Sequence, residues 1–285
     1  PLTPVDLGSE RFSLEPGRNL AFWGTVSVPR DASPGDYRGE LRLTSGEKVR
    51  AVLAVELRVF SFALPQLPTL QSMISLATGN IYSAHGCRTA EDKEKIVRLY
   101  FEQYIRARLS PFLYAPGTMA FNPLPKGAIQ YEFRKDQGGR LTGEIALDFQ
   151  GFDAAGRYYF NERQAFNGFN FAPYLWTRTG KGPDRHLTLR FADSRGTVVL
   201  GQNQDGSPNP LFEQLVVGFF RQVAQHLAQQ GWLERSVYYV IDEPPESDTE
   251  TIAAICRLVR KANPRIRTAL TYDPANRPRL AELVE

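Results

Sequence analysis

The feature that most constrains the fold is a short apolar segment near the C-terminal end of the chain. Residues 237–241 are all apolar or aromatic, and they stop at Asp242, Glu243 and Pro244. Five such residues in a row predict a strand covered on both faces, as in the parallel sheet of an α/β fold. Ligand chemistry in such folds gathers at the carboxyl ends of the strands, which is where Asp242 and Glu243 fall.

From about residue 69 onward the sequence alternates strands and helices. Apolar side chains at a 3.6-residue spacing predict helices over residues 89–109, 211–230 and 247–262, and short strands are predicted at 71–76, 110–114 and 266–272. This order predicts a parallel sheet, and the Gly-, Asn- and aromatic-rich segment 115–210 fits loops on a (β/α)8 TIM-like barrel. Because the chain ends as a further helix starts, we expect the barrel to be incomplete in this chain.

Residues 1–65 have a different pattern, typical of antiparallel strands. Apolar and polar side chains alternate over residues 22–29, 39–44 and 49–59, and turn sequences separate them. We expect an N-terminal β-sandwich that lacks its first strands, with Trp23 in its packing. A stiff Leu-Pro sequence at residues 64–68 is the predicted connector, so the domains are 1–65 and 66–285.

The composition excludes several classes of function. The formal charge is only +3, with Lys and Arg dispersed, so nucleic acid is not an expected partner. No apolar run approaches the roughly 20 residues that span a bilayer, so membrane insertion is not expected. Two distant cysteines, three scattered histidines and no Gly-x-Gly-x-x-Gly after a predicted strand give no support for zinc or a dinucleotide. We expect neither a metal nor an organic cofactor.

Two carboxylates at the mouth of a strand are typical of acid–base chemistry. Glycoside hydrolases place a general acid beside a second carboxylate, although an Asp-Glu-Pro triplet also suits a polar turn before a helix. Repulsion between adjacent carboxylates raises the pKa of one, as a proton donor at neutral pH requires. Because neighbouring side chains on a regular strand point to opposite sides, Asp242 and Glu243 can serve one substrate only at an irregular strand end.

The Pro-Gly-Asp-Tyr-x-Gly turn at residues 34–39, together with the strand ending in Asp242 and Glu243, resembles glycoside hydrolase family 123 and related barrels of unassigned function. The resemblance covers most of the chain except residues 115–210. It implies a retaining β-N-acetylgalactosaminidase-like enzyme that removes terminal N-acetylhexosamine, with the sugar's 2-acetamido oxygen as nucleophile. Glu243 would be the acid/base and Asp242 would orient the acetamide. An oligosaccharide or glycoconjugate substrate and an extracellular or periplasmic location are also implied.

Four further side chains are candidates for substrate contacts. Tyr272 ends the strand after the acid pair, where it can bind an acetamide oxygen or begin an ordinary turn. Trp176 can form a sugar-stacking floor, although aromatic clusters more often belong to a core. Arg108 can reach a sugar, or its positive charge can simply stabilise the C-terminus of the helix that carries it. Related barrels carry a His-Arg pair at this point, whereas this chain has Ala107 before Arg108. His85 lies in a loop after the first predicted barrel strand, where a lone histidine is usually solvated.

Two other functions remain open at the level of sequence. One is a noncatalytic carbohydrate-binding or cell-surface protein on the same scaffold. The other is a conventional retaining glycosidase of a non-acetylated sugar, which needs a second carboxylate about 5 Å from the acid. Asp148 is the first candidate for that nucleophile, although a hairpin role is the more ordinary interpretation. The sequence carries no signal of oligomeric state.

Overall fold

The computed structural model describes residues 12–13, 15–112, 128–171, 173–181 and 186–272. The chain divides into two units, Pro1–Leu64 and Pro65–Glu285, and the division falls in the Leu-Pro connector. The helix expected beyond residue 279, and the last two residues of the strand predicted at 110–114, lie outside the described residues.

The described residues of the first unit contain one antiparallel hairpin. Strand β1 (Gly35–Ser45) pairs with β2 (Lys48–Val59) along its whole length. Residues 22–29 are not a strand, and no described residue of this unit is buried. Trp23, expected to be packed, is instead 80% exposed because the described residues supply no second layer over it. The second sheet of the predicted sandwich is therefore not among the residues that the structure describes.

The second unit is mixed α/β, with helices and several small sheets. Its described α-helices are α1 (Thr78–Ala84), α2 (Ala90–Arg106), α3 (Gln150–Gly156), α4 (Pro210–Gln229) and α5 (Thr249–Ala262). A π-helical turn spans Arg157–Glu162. Its described strands are β3 (Gln130–Lys135), β4 (Leu141–Asp148), β5 (Phe169–Asn170), β6 (Trp176–Thr179), β7 (His186–Ala192), β8 (Val198–Leu200), β9 (Ser236–Asp242) and β10 (Thr268–Thr271).

Capping residues close to the ends of two predicted helices explain where these helices begin or stop. Helix α2 begins with a capping box, in which Thr89 and Asp92 each accept a hydrogen bond from the other's backbone N–H. Helix α4 is capped by the Asn209 side chain, with Pro210 in its first turn. It stops before Gly231, whose φ of 73° suits glycine.

A parallel sheet lies at the centre of the second unit. Strand β9 pairs with β5 on one side and β10 on the other. A parallel bridge joins Ile74 to Pro111, and the N–H of Asn170 donates to the carbonyl of Phe112. The parallel neighbours thus follow one another in chain order, in agreement with the strand–helix alternation of the sequence.

Helices α4 and α5 cover one face of β9. Tyr238 is fully buried there, with its ring 4.8 Å from that of Phe220 on α4. Ile255 and Val259 of α5 belong to the same core. The next residue, Tyr239, points to the other face and packs edge-on against Phe112. The two faces of β9 are therefore chemically different: one is closed by helices, and the other carries a hydroxyl toward the strand's carboxyl end.

The amino edge of this sheet is held by a buried amide. Asn167, only 4% exposed, donates from Nδ2 to the carbonyls of Pro68 and Leu70 at 2.6 and 2.8 Å. Its Oδ1 accepts from the hydroxyl of Ser110 at 2.9 Å. Because these partners come from the chain after the connector and from the second predicted strand, one side chain fixes three segments relative to one another.

Candidate functional site

The acid pair lies where β9 stops being regular. Tyr239 is opposite Ala269 and Asp242 is opposite Thr271, so three steps along β9 match two along β10. The extra residue is a β-bulge, which shifts the alternation of side chains by one. Val240 and Ile241, at the bulge, are both buried, at 0% and 1% exposure. The bulge therefore brings Asp242 to the same face of the strand as Tyr239.

Glu243 leaves the strand in the left-handed conformation, with φ of 40°. This conformation costs a residue with a Cβ atom about 1–2 kcal/mol and is concentrated at functional sites. The N–H of Glu243 donates to the carbonyl of Thr271 at 3.0 Å. The bulge and the left-handed residue together form an irregular strand end, with both carboxylates exposed at the carboxyl edge of the sheet.

Asp242 is held by two hydroxyl groups. Its Oδ1 lies 2.8 Å from the Tyr239 hydroxyl and also accepts a hydrogen bond from the Thr271 hydroxyl. The hydrogen bond from Thr271, and then that from Tyr239, lower the pKa of Asp242 below its ordinary value, and burial acts in the opposite direction. Burial raises the pKa of Tyr239 to about 12, so its phenol stays protonated and can donate. Asp242 is consequently a carboxylate at neutral pH.

An aromatic pair flanks Asp242. The indole Nε1 of Trp176 donates to the carbonyl of Val240 at 2.8 Å, which ties the ring to the strand that carries the acids. The ring of Tyr174 lies 4.9 Å from that of Trp176, and its pKa is raised, first by burial and then by the negative charge of Asp242. A partly buried apolar surface thus lies beside the carboxylate.

Arg178 and Asp248 help to hold the aromatic pair in place. The guanidinium of Arg178 lies 5.8 Å from the Trp176 ring centroid and 3.3 Å from Oδ2 of the buried Asp248, which precedes α5. Oδ1 of Asp248 accepts from the N–H of Leu187 at 3.1 Å. The strand that carries Trp176 is therefore anchored to the helix that follows the acid pair.

Tyr272 and Trp176 are the two predicted contact residues that the fold brings to this edge. Tyr272 directly follows Thr271 and is half-buried against the core. Its hydroxyl makes no hydrogen bond to the acid pair within the described part of the chain. Its role as a substrate contact stays a prediction.

The other candidates are placed elsewhere. Arg108, with φ of 58°, precedes the Pro111 bridge and so lies toward the amino edge of the parallel sheet, whereas the acid pair is at the carboxyl edge. His85 is exposed, and its Nε2 lies 3.1 Å from the hydroxyl of Tyr100 on α2. Asp148 ends β4 in the antiparallel β3–β4 hairpin, where its Oδ1 accepts from the N–H of Gln150 at 2.8 Å. The described geometry does not join these three side chains to the acid pair.

Two residues of the site, Tyr239 and Thr271, are absent from the sequence-based candidates. On a regular strand Tyr239 and Asp242 would face opposite sides, so their spacing argued against a contact. The bulge reverses that geometry, and the pairing with Thr271 needs the neighbouring strand. A tyrosine three residues before an acid at a strand end is the one local signal that was present.

No metal-ligand cluster of three or more His, Cys, Asp or Glu occurs among the described residues. No helix in the described part of the chain is both long enough and apolar enough to span a membrane. The site so far consists of two carboxylates, two hydroxyls and an aromatic pair on an α/β scaffold.

Comparison with known proteins adds a distant likeness. No family model and no curated protein matches this chain. Among solved structures it is similar to a family 123 glycoside hydrolase from Clostridium perfringens, described for glycolipid glycan hydrolysis, with 14% identity and a TM-score of 0.45. The match covers 88% of this chain and 44% of that one, so this chain spans less than half of that protein's length. At this level the likeness carries no shared activity, and function has to be inferred from the site itself.

Proposed function

We propose that this protein is a glycoside hydrolase in which Glu243 is the general acid/base and Asp242 is its ionised partner. The observation that carries the proposal is the unequal environment of two adjacent carboxylates. Tyr239 and Thr271 hydrogen-bond Asp242 and lower its pKa, whereas the carboxyl of Glu243 has no such hydroxyl partner in the described chain. Separate protonation roles for two neighbouring acids are what glycoside hydrolysis requires.

The reaction is retaining and substrate-assisted, on a terminal β-linked N-acetylhexosamine, with N-acetylgalactosamine favoured. The 2-acetamido oxygen attacks the anomeric carbon while Glu243 protonates the leaving oxygen. Asp242 accepts a hydrogen bond from the acetamide N–H and stabilises the positive charge of the cyclic intermediate. Glu243 then removes a proton from the water that opens this intermediate. A lowered pKa suits the part of Asp242, since charge stabilisation fails if that carboxyl is protonated.

The aromatic pair supplies the binding surface for the sugar. Sugar C–H faces pack well on aromatic rings, and Tyr174 and Trp176 lie beside the carboxylate that receives the acetamide. The parallel strands belong, in this proposal, to a (β/α)8 barrel, and the first unit belongs to a β-sandwich. The substrate enters at the carboxyl edge, where barrel enzymes keep their sites.

The test is hydrolysis of aryl β-glycosides of N-acetylgalactosamine, N-acetylglucosamine and galactose. We expect cleavage of the acetamido sugars only, and its loss by at least a factor of about 1,000 in Glu243→Gln. Glu144→Gln, the same change at an exposed position on the β3–β4 hairpin, is the control and keeps wild-type rates. Cleavage of the plain galactoside would contradict substrate assistance. Sugar binding without turnover by folded wild-type protein would favour the noncatalytic alternative.

A further inference from the structure

The hydroxyls of Tyr239 and Thr271 form a triangle with Oδ1 of Asp242. Tyr239 Oη lies 2.8 Å from Oδ1 and 2.7 Å from Thr271 Oγ1, and Thr271 closes the third side. The two hydroxyls own one proton each, so only two of the three sides can be hydrogen bonds at one time. Whether Tyr239 donates to Oδ1 directly or through Thr271, the donors converge on the same carboxylate oxygen.

The other oxygen of Asp242 is left for a ligand. Oδ2 accepts no hydrogen bond from any residue that the structure describes, and Asp242 is exposed at the sheet edge. A carboxylate with one oxygen saturated by the protein and one free presents a single acceptor in a defined direction. This directionality matches the need to orient one N–H group.

We infer that Tyr239 and Thr271 are positioning residues, which hold Oδ1 of Asp242 and make Oδ2 the oxygen that receives the substrate's N–H. The inference rests on the proposed function, because it names the atom through which Asp242 acts. Neither hydroxyl touches substrate in this arrangement. Both hydroxyls act on Asp242, by fixing its rotamer and by lowering its pKa, and the Thr271 hydroxyl also lies 3.3 Å from the N–H of Glu243.

The surroundings of Asp242 show why the hydroxyls of Tyr239 and Thr271 matter for its charge. Asp242 contacts the hydroxyl of Tyr239 on β9 and that of Thr271 on β10, and Tyr174, in the segment before β6, lies near enough for its pKa to be raised by the charge of Asp242. No Lys, Arg or His in the described chain forms an ion pair with Asp242. The two hydroxyls therefore provide the hydrogen bonds that favour the charged form.

The experiment compares Tyr239→Phe, Thr271→Val and Thr271→Ser by the pH profile of kcat/KM. Loss of a donor raises the pKa of Asp242, so the acidic limb moves to higher pH by about one unit in Tyr239→Phe and Thr271→Val. Thr271→Ser keeps the hydroxyl and keeps the wild-type limb. Tyr158→Phe is the control and should keep the wild-type acidic limb. It removes the hydroxyl of a tyrosine in the π-helical turn, which accepts a hydrogen bond from Arg163. Identical limbs in Thr271→Val and Thr271→Ser would overturn the inference.

A second measurement separates this inference from the proposed function. The carboxyl carbon of Asp242 is followed by NMR in protein labelled at aspartate, with Asp242→Asn to assign its signal. An upward shift of its titration midpoint in Tyr239→Phe, in protein that hydrolyses none of the glycosides, would retain the positioning role and reject the proposed function. An unchanged midpoint in Tyr239→Phe and in Thr271→Val rejects the positioning role, whatever the activity.

Discussion

Thr271 holds Glu243 from the neighbouring strand, through a hydrogen bond of 3.0 Å between the Glu243 N–H and the Thr271 carbonyl. The same N–H lies 3.3 Å from Thr271 Oγ1, and that hydroxyl also donates to Asp242. One residue of β10 thus contacts both members of the acid pair. Glu243 has a φ of 40°, a left-handed backbone conformation that is unfavourable for a residue with a Cβ atom. The hydrogen bonds from Glu243 to Thr271 on β10 help to hold it in that conformation.

Backbone strain at Glu243 predicts that replacing this residue with glycine relieves strain while it abolishes activity. Glu243→Gly removes the Cβ atom that makes the left-handed conformation costly, whereas Glu243→Ala keeps it. We expect Glu243→Gly to be more stable than Glu243→Ala by about 1 kcal/mol, and both to be inactive. Urea unfolding followed by circular dichroism measures the difference. Equal stability of the two variants would mean that the conformation is not strained in solution.

Trp176→Phe tests the aromatic pair. It keeps a ring for stacking but removes the indole N–H that donates to Val240, so the ring is no longer tied to β9. We expect KM to rise about tenfold with a smaller fall in kcat, and stability to fall by about 1 kcal/mol. Trp23→Phe, on an 80% exposed side chain of the first unit, is the matched control. A wild-type KM in Trp176→Phe would remove Trp176 from the binding surface.

The buried amide of Asn167 predicts a purely structural effect. Asn167→Ala removes the acceptor of the Ser110 hydroxyl proton and the donor to the carbonyls of Pro68 and Leu70, and should cost about 3 kcal/mol of unfolding free energy. At temperatures where the variant is folded, kcat/KM should be unchanged, because this network lies at the amino edge. Asn203→Ala, in an exposed turn, serves as the control and should cost under about 1 kcal/mol. Calorimetry and initial rates together decide the outcome.

Gly156 in α3 reverses the usual helix rule. Replacing a helical glycine by alanine normally stabilises by about 1 kcal/mol, but a Cβ here would come within 2.5 Å of the buried Trp232 ring. We expect Gly156→Ala to lower the melting temperature, at a cost of about 1–3 kcal/mol. A Cβ at Gly79 in α1 meets nothing within 4 Å, so Gly79→Ala should be neutral or stabilising. Stabilisation in both variants would show that α3 and Trp232 are less tightly packed.

Much of the second unit is predictable from local pattern. Helix α4 was predicted within one residue at each end, because its apolar stripe, Asn209, Pro210 and Gly231 are all local signals. The predicted helix at 89–109 ends earlier, at Arg106, where a left-handed residue, Arg108, follows. Strands β3, β5, β6 and β8 were missed, because each is short and is defined by its pairing with a strand that the fold brings beside it.

The sequence by itself determined that an apolar strand over residues 237–241 ends on two carboxylates, because a run of five apolar residues favours burial and two acids cannot be buried unpaired. Tertiary structure decided what the acids can do. The bulge in β9 exists only against the register of β10, and it turns Asp242 to the side of Tyr239. Register comes from pairing with residues about 30 positions later in the chain, so no local pattern in β9 specifies it.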